Sequence, residues 1–162
     1  MEPQLALQLE PRWEELPRLR QRVSDFLSQN GLAAAEVDAV TMVVCELSEN
    51  ATKYGAFEPL AERIDVRVTL ERTLVTIEVS QPVDIHDSKN LMTLDRMVQW
   101  IRGFQDPFEA YLQRLKEIST EDPNSTESRL GLVRIAYEGQ SVLDFYVNEE
   151  NILAVSAIRR LA

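Results

Sequence analysis

The chain has 162 residues, 44% of them apolar and 27% charged, with a formal net charge of −10. That is enough chain for one compact core, and its acidity repels phosphate backbones, so nucleic-acid binding is not expected: Arg159-Arg160 is short, and Arg12, Arg18, Arg20 and Arg22 are diluted by acids. The single cysteine, Cys45, excludes an internal disulfide and a cysteine-rich metal site, and no run of about 18 apolar residues offers a membrane span.

Met1-Glu2-Pro3-Gln4 lacks the basic and apolar regions of a signal peptide, which gives a cytoplasmic expectation. Leu5, Leu7 and Leu9 alternate with polar residues and predict an opening strand. Residues 13–29 predict a helix, with Pro17 near its start and Asn30-Gly31 as its stop. A second helix is expected from about Ala34 to Tyr54, capped by Gly55. Its apolar stripe comprises Val40, Val43, Val44, Leu47, Ala51 and Tyr54. Cys45 lies inside this helix and reads as a small buried hydrophobe.

Two alternating runs follow, Ile64 to Leu70 and Val75 to Val79, and predict antiparallel strands. Gln81-Pro82 ends the second. Residues 89–102 and 107–118 have helical spacing, and residues 119–128 form a polar, acidic loop. A short helix stopped at Gly139 precedes two closing strands, Val142 to Val147 and Ile152 to Ile158. Strands cluster without βαβ alternation, so the fold class is α+β: an antiparallel-rich mixed sheet with helices packed on one face. The expected organisation is one domain over 1–162 with a lid-like insert at about 83–128.

The stretch Glu46-Leu47-Ser48-Glu49-Asn50-Ala51-Thr52-Lys53-Tyr54-Gly55 carries the chemistry. A carboxylate, an amide and a cation at i, i+4 and i+7 share one helical face. A carboxylate can take a hydroxyl proton, an amide oxygen suits Mg²⁺ beside phosphate, and a lysine offers phosphate a point charge. The plain alternative is a solvated helix face, with Glu49 and Lys53 as an ordinary i,i+4 pair. His86, the lone histidine, lies between Asp84 and Asp87 and reads as a surface residue. Trp13, Trp100, Phe104 and Phe108 read as core or lid-packing residues.

This box, together with the element order, resembles the GHKL ATPase superfamily, which includes sensor histidine kinases, gyrase and MutL. By length, and by the lack of a dimerisation helix pair, the chain is most similar to the small anti-sigma-factor serine kinases. The resemblance implies a Bergerat-type fold and Mg-ATP as ligand. It implies Glu46 as general base, Asn50 as the Mg²⁺ ligand, and Lys53 near the phosphates. The family's second box, Asp-x-Gly-x-Gly, holds the adenine amino group. Here Gln81 stands in place of that Asp, no glycine occurs between Gly55 and Gly103, and Asp84 is a displaced alternative beyond Pro82. The third box is half kept, in Ser128-Arg129-Leu130-Gly131-Leu132-Val133, where the resemblance puts Arg129 and Gly131 at the phosphates behind an acidic run, Glu121 to Glu127.

The resulting expectation is a regulatory protein that binds a protein partner through a degenerate nucleotide site with weak or lost ATP binding. By resemblance that partner is an anti-sigma antagonist, a sigma factor or a response regulator, and a homodimer is compatible. The alternative is an active Mg-ATP-dependent Ser/Thr kinase acting on an anti-sigma-antagonist-type partner. A more distant one is a histidine-kinase relative that docks receiver or phosphotransfer domains.

Overall fold

A computed structural model describes residues 2–57, 63–84, 86, 89–118 and 131–161. Strand β1 (Gln4–Leu9) leads through a 3-10 turn (Trp13–Glu15) into α1 (Leu16–Gln29) and α2 (Ala34–Tyr54). The hairpin β2 (Ile64–Leu70) and β3 (Leu74–Pro82) follows, then α3 (Lys89–Arg102), α4 (Pro107–Ile118) and α5 (Gly131–Tyr137). Strands β4 (Ser141–Val147) and β5 (Ile152–Arg160) complete the order. The acidic loop expected at 119–128 lies outside the described residues.

The five strands form one sheet in the order β1-β2-β3-β5-β4, antiparallel at every junction. Period-2 alternation sets its faces. Ile64, Val66, Val68, Val75, Ile77 and Val79 point inward and are buried, while Asp65 and Arg67 are exposed. On the opposite side of β4 and β5, Val142, Tyr146 and Ile158 stand exposed. The α+β class, with helices against one face of an antiparallel sheet, is borne out.

Helix α2 is the spine of the helical layer. Val40, Val43, Val44, Leu47 and Ala51 are buried at helical spacing, each large side chain contributing about 1.5–3 kcal/mol on leaving water. It packs on α1, whose Leu19, Val23 and Leu27 are fully buried. Gly31 joins the two helices with φ +83°, a conformation that favours glycine. Gly55 ends α2 for a different reason. Its backbone is extended, and a Cβ there would collide with the Phe57 ring. Cys45 is buried, and burial pushes its thiol pKa up, which suits a packing role.

Two polar devices tie the closing strands to the helical layer. Arg159 on β5 donates to Glu36 on α2 at 2.7 Å and to the Gly139 carbonyl at 2.6 Å. Arg102, at the end of α3, donates to the Leu143 carbonyl on β4 at 2.6 Å. Trp100 and Phe104 pack edge to face, ring centroids 4.8 Å apart, and both are half-buried against the core. Trp13, expected in the core or under a lid, is instead 53% exposed. It sits on the 3-10 turn ahead of α1, before the buried stripe begins.

Candidate functional site

The C-terminal half of α2 forms one wall of a cavity of about 580 Å³. Asn50 and Lys53 line it about one helical turn apart, because the helix places i and i+3 neighbours on one side, and Gly55 joins them just past the helix end. The end of β3 and its exit supply Gln81, Val83 and Asp84. Helix α3 contributes Lys89, Thr93 and the apolar Leu91, Leu94 and Met97. Arg114 enters from α4, Gly131 and Leu132 from the start of α5, and Leu153 and Val155 from β5.

The chemistry of this lining is uneven. Three cationic side chains, Lys53, Lys89 and Arg114, face one carboxylate, Asp84, among the described lining residues. That is a local positive excess in a chain of net charge −10, and it suits an anion. Arg114 is buried and donates to Glu117 at 3.2 Å. Lys53 lies 5.1 Å from the centre of the Tyr54 ring. The apolar residues from α3 and β5 supply a dry wall for a flat group.

Glu46 is placed differently. It is not among the residues lining the cavity. Its carboxylate accepts a hydrogen bond from Arg134 of α5 at 2.9 Å, and Arg134 donates its Nε to Glu138 at 2.8 Å. Burial, then the neighbouring Glu49, push the Glu46 carboxyl above the ordinary range, against the pull of Arg134. The hydrogen bond to Glu138 raises Arg134 in turn. The helix therefore divides its polar row: Asn50 and Lys53 face the cavity, and Glu46 faces α5.

Gln81 is 5% exposed and continues the inward row of β3. Its strand pairs with Leu153, and the flanking backbone is held by Ala56 N–H to the Pro82 carbonyl and Val83 N–H to the Asn151 carbonyl, each 2.9 Å. Asp84 accepts the His86 backbone N–H at 2.9 Å. Gly131 is buried and opens α5. Arg129 lies outside the described residues.

The family model of the histidine kinase-like ATPase domain matches residues 9–96, more than half of the chain. The chain belongs to the histidine kinase-like ATPase family. No match is found among curated proteins. The matched span runs from the end of β1 to the middle of α3, and so includes the Glu46–Tyr54 box and Gln81. The cavity draws its remaining walls from α4, α5 and β5, beyond that span.

For this ATPase family, Mg-ATP is the implied ligand, and the donor set can be tested against it. Asn50 offers a hard amide oxygen at the cavity wall, which suits an ion that takes most of its remaining ligands from phosphates and water. No cluster of three or more His, Cys, Asp or Glu side chains exists among the described residues, so no all-protein metal cage stands here. Size, charge and the Asn50 oxygen thus fit a metal-nucleotide. Lys89, Arg114 and Arg134 are the residues that sequence reasoning missed. Their one sequence signal is a cation in phase with a buried stripe, as Arg114 is with Ala110 one turn earlier.

Proposed function

We propose that this chain is a regulatory protein of the anti-sigma, partner-switching type. It acts by binding a protein partner, with a nucleotide cavity whose phosphotransfer machinery is disarmed and whose hold on ATP is weak. The observation that carries this reading is the 2.9 Å hydrogen bond between Arg134 and Glu46. A general base must reach the proton that it takes. Glu46 has its Oε1 held by Arg134 of α5, which turns the carboxylate toward that helix, and it does not line the cavity. A bound Mg²⁺ would shield phosphate charge, with Asn50 holding the ion and Lys53, Lys89 and Arg114 holding the anion. The end of β3 supports weak ATP binding. It stays in the sheet through Pro82 and has no glycine to let a base approach the backbone.

A second reading, an active Ser/Thr kinase, is favoured by one observation: the raised pKa direction of Glu46, which moves a carboxyl toward what a general base requires. The two readings separate in one experiment. The purified chain is incubated with radiolabelled Mg-ATP and candidate anti-sigma-antagonist domains, and complex formation is followed alongside transfer of label. Complex without transfer supports the regulatory reading. Label transfer that Glu46→Gln abolishes overturns it.

A further inference from the structure

The one polar side chain buried in the cavity wall with no hydrogen-bond partner among the described residues is the Gln81 amide. It is not sealed off either: the side-chain atoms both buried from solvent and without partners belong to Thr41 and Ser48. A covered amide that makes no protein bond and opens on a cavity can meet a ligand's polar edge without first giving up a protein hydrogen bond. Its backbone is fixed by the β5 pairing, and only the side chain is free to turn.

An amide differs chemically from the carboxylate that would otherwise serve such a position. A carboxylate only accepts hydrogen bonds, whereas the Gln amide carries an acceptor oxygen and a donor NH₂ at one planar end. Turned one way, it accepts from an exocyclic amino group and donates to a ring nitrogen. Turned through half a revolution, it donates to an exocyclic carbonyl and accepts from a ring N–H. Around it are the apolar side chains Leu94, Met97 and Leu153 for a flat ring, and the cations Lys53, Lys89 and Arg114 for an anionic tail.

We propose that Gln81 is the base-reading residue of this cavity and that the cavity takes purine nucleotides with either a 6-amino or a 6-oxo group. This rests on the reading of the cavity as a nucleotide site, and it adds a selectivity that the partner-binding role does not require. Weak discrimination in favour of adenine follows from the two-way amide. A site whose buried groups match one edge only rejects the other strongly, and this one matches both.

The test is calorimetric titration of the full chain with Mg²⁺ and either adenosine or inosine diphosphate. The expected dissociation constants agree within about fivefold. Gln81→Leu should weaken both ligands by about tenfold, and Gln81→Asp, which only accepts, should weaken both by losing the hydrogen bond that the amide donates. Binding of neither nucleotide at millimolar concentration overturns the proposal, as does a wild-type preference for adenosine above about tenfold. Unchanged affinities in Gln81→Leu also overturn it. Should Gln81→Asp not fold, as judged by its thermal melt, the wild-type ratio and the Gln81→Leu affinities decide. Failure here leaves complex formation with a protein partner untouched, so the two conclusions fall separately.

Discussion

Glu46 and Arg134 are 88 positions apart in the chain and meet at 2.9 Å, fastening the middle of α2 to α5. The carboxylate is mostly covered and the guanidinium is 37% exposed, so the pair is neither a surface ornament nor a fully desolvated one. A double-mutant cycle with Glu46→Gln and Arg134→Met, read by urea denaturation, should give a coupling of about 1 kcal/mol. Zero coupling would show that the pair adds nothing to stability.

Two carboxylates should respond to acid with opposite signs. The folded-state pKa of Glu46 is raised, chiefly by burial. Its contribution to stability is therefore full below the ordinary carboxylate pKa and is lost as pH rises through the raised value. Glu15 is the reverse. The Arg18 hydrogen bond lowers its pKa first among the causes, so its contribution is present above the ordinary value and is lost as pH falls through the lowered one. Between about pH 4 and 7, the Tm of Glu46→Gln should gain on wild type as pH rises, and that of Glu15→Gln should fall behind. Parallel slopes in the two variants would contradict this assignment.

Gly139 has no room for a side chain. A Cβ would stand 2.5 Å from the Ile135 carbonyl oxygen and 2.5 Å from Val43 Cγ2 on α2. Gly139→Ala should cost about 1–3 kcal/mol through overpacking, seen as a lower urea midpoint with an unchanged m-value. Gly31→Ala offers a contrast in mechanism. Nothing lies within 4 Å of its Cβ, and any loss comes from φ +83° alone.

Arg159 and Glu36 form the most buried ion pair described, and Arg159 also holds the Gly139 carbonyl. Removing the cation strands a covered carboxylate and a carbonyl together. Arg159→Leu should therefore cost about 3 kcal/mol in chemical denaturation, and Glu36→Gln clearly less, since the amide still accepts a hydrogen bond. Equal losses would show that the charge on Glu36 matters more than the covered oxygens.

Most of the element order was legible because each element carries its own period. Ile64, Val66 and Val68 alternate, and Val40, Val43, Val44 and Leu47 recur by turns, so burial follows from local spacing. The site was legible where it is local too. Asn50 and Lys53 share a cavity wall because three residues nearly close a turn of α2. What the sequence hid depends on packing between distant elements. Arg134 looks like any cation on a short helix until α5 settles on α2 and brings it to Glu46. Arg114 becomes a cavity residue only once Phe108 and Tyr111 pack their rings on Tyr137 and seat α4 on α5. Trp13 misled by its size, which argues for burial, although its place ahead of the α1 stripe leaves it exposed.

Strand β5 lies between β3 and β4, although every other strand precedes it in the chain. Without β5, the β1-β2-β3 unit and β4 would not touch, and the sheet would have no continuous floor. Leu153 and Val155 of this same strand line the cavity, so the binding site exists only where β5 is paired on both sides. A ligand in the cavity accordingly favours only the finished molecule. Its binding energy is stored in the closure of the whole sheet, and a weakened β5 pairing would show first as lost ligand affinity.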